Sequence, residues 1–269
     1  MANKDSWKEA AWEKFLKKFW DNRPDGNDVV EYSREDLEPF LSKYKKSGQG
    51  EIRIFHYGSE KIKAVKKRSV AKIPLSRQKW KLILHTESVK FIKPDEEIIF
   101  QPKNKLTDGM IVGVRDTMSR NTNPGETTLL AIANYSGIIS DFYELGKAGI
   151  LFTGGRQRAA VHLVVGTSDI DMSKAQIEID GGFEWPDTVV IVEMKSSFNQ
   201  ENFDINQALI PLLKWEKLLQ HKKVHSLVLL AQTNNRGIEY WAYDLEHNKK
   251  GLSNEMKIVK SKKYILEIK

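Results

Sequence analysis

The sequence contains no cysteine, which excludes disulfide bonds, thiolate zinc sites and cysteine nucleophiles. No apolar run approaches the roughly 20 residues that a membrane-spanning helix needs. The first ten residues, MANKDSWKEA, hold no apolar segment of the signal-peptide kind, so we expect a cytoplasmic protein with no membrane partner. HxH, HExxH, GxGxxG and GxxxxGK[ST] motifs are all absent, so a histidine metal motif and a nucleotide-driven enzyme are not expected.

Positive charge is concentrated in one part of the chain. The 269 residues carry a net charge of +7, yet 13 basic residues lie between Lys43 and Lys81, opposed only by Glu51 and Glu60. A second run, residues 249–269, holds seven lysines and two glutamates. Together with its aromatic residues, the first stretch predicts a surface that faces phosphates, and a merely solvated surface is the alternative. The basic residues of this stretch that we expect to contact phosphates are Lys61, Lys63, Lys66, Lys67, Arg68, Arg77 and Lys79.

The first half of the chain reads as helices followed by strands. Apolar residues at helical spacing predict helices over residues 6–20 and 33–44. Strands are predicted within 51–57, 71–86 and 96–102, with a basic loop at 63–70. The polar segment 101–109 marks a domain boundary, which divides the chain into regions 1–105 and 106–269.

The second half alternates between helices and strands. A helix of about 20 residues is predicted to begin near Pro124 and Glu126, and a second helix within residues 202–220. Predicted strands lie within 159–165, 176–185, 188–195, 225–233 and 237–244, with a polar loop through Asp169 and Asp171. This order predicts an α/β (α+β) fold with helices packed on a sheet.

Two of these strands bring carboxylates together. If they pair as a hairpin about a midpoint between residues 186 and 187, Asp180 lies opposite Glu193 and Glu178 lies opposite Lys195. Directly opposed residues share one face of an antiparallel pair, so three carboxylates and one ammonium group converge. A bulge at Gly181–Gly182 would shift this register. Four apolar residues are expected on the opposite face, in a core: Ile177, Ile179, Val192 and Met194.

A divalent cation would relieve the repulsion between these carboxylates, and Mg²⁺ typically takes one or two carboxylates together with phosphate oxygens of a substrate. Ordinary ion pairs on an exposed hairpin face are the alternative. The pattern Glu-x-Lys occurs three times, at residues 193–195, 255–257 and 267–269. Only the first ends a buried strand, pairs with a second carboxylate-bearing strand and precedes a long amphipathic helix.

Asp180 followed by Glu193-x-Lys195 on the next strand resembles the PD-(D/E)XK nuclease superfamily. The segments QIEIDGGFE, VVIVEMKSS and FDINQALIPLLKW are similar, more narrowly, to the catalytic region of type II restriction endonucleases. The resemblance covers roughly residues 160–216. It implies a restriction-endonuclease-like central mixed sheet flanked by helices, in region 106–269, and a smaller N-terminal α+β region, 1–105, that grips or reads DNA.

The resemblance also implies roles for individual residues. Asp180 and Glu193 would ligate Mg²⁺ together with the Met194 carbonyl, and Lys195 would orient or activate the attacking water. Three further residues would assist: Glu178 as an extra ligand or a partner of Lys195, Gln207 as a residue that holds the site in place, and Glu126 as an additional metal ligand.

We therefore expect a Mg²⁺-dependent type II restriction endonuclease that hydrolyses phosphodiester bonds at specific sites in double-stranded DNA. A cognate DNA methyltransferase would be its functional, not physical, partner. Because one chain offers one site and duplex DNA has two strands, a homodimer is expected. Aromatic residues of the first helix would form the subunit contact or pack on the chain's second half. The alternatives are a repair or resolvase nuclease of the same superfamily and a non-catalytic DNA-binding protein.

Overall fold

The computed structural model describes residues 4–25, 27–41, 63–76, 78–84, 91–94, 96–120, 122–158, 160–165, 168–172, 175–197, 205–247 and 256–268. The helices in this part of the chain are α1 (Lys4–Phe19), α2 (Arg34–Leu41), α3 (Lys63–Lys67), α4 (Asp108–Ser119), α5 (Glu126–Ser136), α6 (Ile138–Phe142) and α7 (Asn206–Leu218). The strands are β1 (Val29–Ser33), β2 (Val70–Pro74), β3 (Lys79–Leu84), β4 (Glu97–Ile99), β5 (Ile150–Arg158), β6 (His162–Val165), β7 (Ser168–Asp171), β8 (Gln176–Glu184), β9 (Thr188–Lys195), β10 (Lys223–Asn234), β11 (Gly237–Glu246) and β12 (Lys257–Glu267).

A seven-stranded mixed sheet forms the centre of the molecule, in the order β4-β12-β11-β10-β9-β8-β5. The pairs β9–β10 and β12–β4 are parallel, and the other neighbours are antiparallel. Helix α7 connects β9 to β10 and packs on the sheet, as the parallel pairing of two sequential strands requires. The predicted α+β class, with a mixed sheet flanked by helices, is confirmed.

The sheet separates two apolar cores. Along β10, Leu227 and Leu229 belong to the core beneath α5 and α6, which we call the α5 core. Val228 and Leu230 belong to the core beneath α7, which we call the α7 core. Both faces of β9 and β10 are therefore covered, which explains why these strands read as unbroken apolar runs in the sequence.

The N-terminal region has a core of its own. Strands β1, β3 and β2 form a three-stranded antiparallel sheet. Helix α1 buries Trp12 and Phe15, and Trp20 directly after it, within the N-terminal core, which also contains residues of α2, α3 and this sheet. The expectation that the α1 aromatics form a subunit contact or pack on the chain's second half is wrong for these three, because they are buried within their own region. Ile73 and Ile83 belong to the α7 core, so this small sheet also contributes to the main body.

Several predicted elements differ from the structure. The segment predicted as a basic loop contains helix α3, whose first amides, of Lys63 and Ala64, donate hydrogen bonds of 2.7 and 2.5 Å to the Glu9 carboxylate. The single helix predicted after Glu126 is two helices, because Gly137 adopts a left-handed conformation at φ 95° and ends α5.

Other differences concern strands and one helix. The loop predicted through Asp169 and Asp171 is strand β7, paired with β6. Helix α4 and strands β5 and β12 were not predicted, and β4 joins the central sheet through β12. The strand predicted within 51–57 lies outside the described residues. None of the helices in the described part of the chain is long and apolar enough to cross a membrane.

Candidate active site

The β8–β9 hairpin has the register that the sequence predicts. Gly181 lies opposite Val192 and Glu184 opposite Val189, joined by the predicted turn. The regular ladder runs no further than Gly181, so Asp180 is held differently. Its Oδ2 accepts a 2.7 Å hydrogen bond from the main-chain amide of Met194, which places the carboxylate beside the end of β9.

Strand β8 changes face between Ile179 and Gly181. Ile177 and Ile179 lie in the α7 core, whereas a side chain at Gly181 would meet Leu130 of the α5 core at 2.8 Å. Its pairing with β5 is irregular here too, with register shifts on both sides of the Thr153–Gly182 pair. The disruption lies at Gly181–Gly182, where the sequence predicts a bulge.

The prediction that the four apolar residues of the hairpin share one face is therefore wrong. Ile177 and Ile179 lie in the α7 core, but Val192 and Met194 lie in the α5 core. The prediction assumed unbroken two-residue alternation along β8, and that alternation fails between Ile179 and Gly181.

Glu193 and Lys195 form a largely buried, hydrogen-bonded pair at the carboxyl end of β9. Only 6% of the Glu193 side chain and 21% of the Lys195 side chain are exposed, and the Lys195 ammonium group donates a hydrogen bond to Glu193 Oε1. They lie two residues apart in a strand, so they project from the same face. Two ionisable groups buried together are costly to desolvate, and such pairs are more typical of functional sites than of an ordinary protein surface.

The pKa values of the pair reflect burial and crowded negative charge. Burial is the main cause that raises the pKa of Glu193 to about 8; Asp180 and Glu126 act in the same direction, while Lys195 opposes the shift. Burial lowers the pKa of Lys195, but attraction to Glu193, Glu126 and Asp180 outweighs this effect and leaves the pKa above its ordinary value. Lys195 is therefore a cation at neutral pH.

Glu126 reaches the cluster from the start of α5. Its Oε1 accepts a 3.3 Å hydrogen bond from the amide of Ser196, the residue that follows Lys195. The structure therefore brings Asp180, Glu193, Lys195 and Glu126 together, as the sequence and the resemblance predicted. We call these four residues the carboxylate–lysine cluster.

Two other predicted residues lie differently. Glu178 projects away from the cluster: 65% of its side chain is exposed, and its carboxylate lies 3.8 Å from Arg156 on β5. The predicted pairing of Glu178 with Lys195 is thus wrong, because Lys195 pairs with Glu193. Gln207 is half-buried in the first turn of α7, which packs against β8, β9 and β10; its role stays a prediction.

The donor atoms of the cluster are compatible with a hard divalent cation. Among the residues that the structure describes, no three His, Cys, Asp or Glu side chains form a ready-made metal cluster. The predicted set needs only two carboxylates, from Asp180 and Glu193, and the Met194 carbonyl, with water and substrate oxygens completing the shell. Burial is the main cause of the raised pKa of Glu193, and the carboxylates of Asp180 and Glu126 add to it; a divalent cation would relieve this repulsion.

Asn123 is a residue of the site that the sequence reasoning missed. Its side-chain amide donates a 2.5 Å hydrogen bond to the carbonyl of Ser196, and its Oδ1 accepts bonds of 3.0 and 2.8 Å from the amide and hydroxyl of Thr233 on β10. Asn123 and Glu126 thus hold both main-chain groups of the residue after Lys195. The available signal was the string Asn-Pro-Gly-Glu, which marks a turn that begins a helix.

Arg68, predicted to contact phosphates, is a structural anchor in the N-terminal region. Its guanidinium group donates hydrogen bonds of 2.7 to 2.8 Å to Glu13 and Asp21, and only 11% of the side chain is exposed. These two carboxylates raise the pKa of Arg68 and have their own pKa values lowered by it.

The remaining basic residues of the predicted phosphate-facing surface are only partly described. Lys63, Lys67 and Lys79 are exposed, and the Lys79 ammonium group lies 3.8 Å from Glu31. Lys61, Arg77 and the side chain of Lys66 lie outside the described residues. Their contact with phosphates stays a prediction.

Fold and site together define an α+β protein with an acidic cluster and one buried lysine at the carboxyl end of a central strand. The chain belongs to the family described as domain of unknown function (DUF6997), whose model matches residues 101–265. No curated protein and no solved structure matches the chain significantly. The matched segment contains the central sheet except β4 and the last two residues of β12, and with it the whole carboxylate–lysine cluster.

Proposed function

We propose that this protein is a Mg²⁺-dependent endonuclease of the type II restriction class, with a restriction-endonuclease-like catalytic fold, that hydrolyses phosphodiester bonds in double-stranded DNA. The observation that carries the proposal is the meeting of Asp180 with the buried Glu193–Lys195 pair where the β8–β9 ladder ends. In this arrangement two carboxylates and one ammonium group from adjacent strands converge at one end of the hairpin.

Asp180 and Glu193, with the Met194 carbonyl, are the residues that would hold Mg²⁺. When bound, the cation would lower the pKa of a water molecule and neutralise charge on the scissile phosphate. Lys195 is protonated at neutral pH, so it would orient the water and stabilise negative charge instead of accepting a proton. Glu126 and Asn123 would hold the end of β9, through Ser196, so that Lys195 keeps its position.

DNA binding would involve the N-terminal region. Lys63, Lys67 and Lys79 are exposed there and would contact phosphates. We also propose that two copies act together on the duplex, since each chain has one cluster and the two DNA strands are related by a two-fold axis. Sedimentation on a duplex in Ca²⁺ would show two chains per duplex; a one-to-one complex would refute the dimer.

A non-catalytic DNA-binding protein is the main rival. The burial of Glu193 favours catalysis, because a surface that only binds phosphates gains nothing from a desolvated carboxylate whose pKa is raised to about 8. Repair and resolvase nucleases share the same chemistry. A neighbouring methyltransferase gene would distinguish a restriction role from these.

The test is digestion of unmethylated phage DNA by the purified protein, with Mg²⁺ or with EDTA, followed by sequencing of the fragment ends. The proposal predicts cleavage with Mg²⁺ alone, at ends that share one sequence. Mg²⁺-dependent cleavage at scattered positions would support a nuclease but refute sequence specificity. DNA binding without cleavage in Mg²⁺ or Mn²⁺ would refute catalysis.

A further inference from the structure

Strand β5 lies beside Asp180 at the edge of the central sheet. Among the described strands it pairs only with β8, where Gly155 lies opposite Ile179 and Arg156 lies opposite Glu178. A side chain at Gly154 would lie 3.4 Å from the carbonyl of Asp180, so the β5 main chain runs directly alongside this residue.

Two arginines of β5 lie on the same face as Glu178, two residues before Asp180. Gln157 accepts a hydrogen bond from Lys214 and therefore faces α7, so strand alternation directs Arg156 and Arg158 to the opposite face. Residues opposed in an antiparallel pair share a face, which places Glu178 on that face as well. Arg156 has 72% of its side chain exposed, and Arg158 is exposed too.

Gly154 and Gly155 leave the main chain of β5 exposed next to the cluster. Gly155 has a φ of 75°, a conformation that favours glycine, and a side chain there would meet nothing within 4 Å. Glycine within a strand commonly marks a place where a ligand approaches the backbone closely. The segment Gly154–Arg158 thus combines an accessible backbone with two positive charges about 7 Å apart, from two strand steps.

We propose that the segment Gly154–Arg158 binds the DNA backbone at the sheet edge next to the cleavage centre, with Arg156 and Arg158 contacting phosphates. This inference rests on the proposed function and adds a second phosphate-binding surface, separate from the N-terminal lysines. Glu178 competes with phosphate for Arg156, because its carboxylate lies 3.8 Å from the guanidinium group.

The test compares duplex binding by fluorescence anisotropy, in Ca²⁺ and over a range of salt concentrations, for wild type and the double variant Arg156→Gln/Arg158→Gln. Each lost phosphate contact should lower the log–log salt slope by about 0.9, hence about 1.8 for the two. The variant Arg156→Lys/Arg158→Lys keeps both charges and should keep most of the slope. The variant Arg34→Gln is the matched control, because Arg34 is also partly exposed and paired with a carboxylate, Glu38, on α2.

Glu178→Gln adds a test of opposite sign: it should strengthen DNA binding by freeing Arg156 from its carboxylate partner. If the double variant keeps the wild-type slope and affinity while wild type binds and cuts DNA, the inference on β5 is overturned and the proposed function stands. If wild type neither binds nor cuts DNA, the proposed function fails first and the inference fails with it.

Discussion

Replacing Glu193 with glutamine tests the electrostatics of the cluster without any DNA. The folded-state pKa of Glu193 is raised to about 8 from an ordinary value of 4.5. Between these two values the folded protein holds one more proton than the unfolded chain, so wild-type stability falls as pH rises through this range. Glutamine is neutral and nearly isosteric, so the stability of the variant does not fall in this way as pH rises.

The size of the effect follows from the shift. One pKa unit corresponds to about 1.4 kcal/mol, so the stability of Glu193→Gln relative to wild type should increase by about 2 kcal/mol between pH 6 and pH 8. For a chain of this length that corresponds to about 5 °C in relative melting temperature. The pKa of Lys195 is raised above its ordinary 10.5, so this group does not titrate in the same window.

The assay monitors denaturation by circular dichroism, in EDTA, for both proteins at pH 6 and pH 8. Taking the difference between the two proteins cancels the titration of the histidines. Glu178→Gln, which removes an exposed carboxylate from the same hairpin, is the control and should show the same difference at both pH values. A Glu193→Gln effect that does not change between pH 6 and pH 8 would refute the raised pKa, and with it the burial of Glu193 beside the other carboxylates of the cluster.

Three further predictions concern other residues. Arg68→Gln should destabilise the protein by about 1–2 kcal/mol, because it removes charged hydrogen bonds to half-exposed partners; urea denaturation measures this effect. The same variant should leave the salt dependence of DNA binding unchanged in a salt titration. Neutralising Lys63, Lys67 and Lys79 together should weaken binding to all duplexes equally and lower the log–log salt slope by up to about 2.7 in the same titration. An unchanged slope would show that these three lysines form a solvated surface that does not contact phosphates. Asn123→Ala should lower kcat at least tenfold with KM nearly unchanged, because it releases the end of β9 after the substrate is bound; equal losses in DNA affinity would contradict this positioning role.

Sequence reasoning located the cluster because its determinants are local. The turn between β8 and β9 fixes the register from Gly181 to Glu184, and the Glu-x-Lys spacing places Glu193 and Lys195 on one face. The change of face between Ile179 and Gly181 depends on irregular pairing with β5, a strand that the pattern did not predict. Gly181 and Gly182 indicated a bulge there, but the sequence could not show which side chains the bulge redirects.

Long-range contacts account for most of what was missed. The basic segment at 63–67 becomes helical where Glu9, more than 50 residues earlier, accepts its first amides. Arg68 reads as one more surface charge until α1 supplies Glu13 and Asp21. Strand β12 is rich in lysine because alternate residues of its first half are exposed, so it lacks the apolar pattern of the strands that are covered on both faces.

Cleavage of plasmid DNA by site variants, with duplex binding measured in parallel, tests the central claim most directly. Asp180→Asn and Lys195→Ala should each abolish Mg²⁺-dependent cleavage while duplex binding in Ca²⁺ stays near the wild-type level. Asp187→Asn, an exposed change in the turn at the other end of the same hairpin, is the matched control and should cleave as wild type does. Cleavage by Lys195→Ala at the rate of this control would contradict the assignment, and Glu255-x-Lys257 would become the next motif to test.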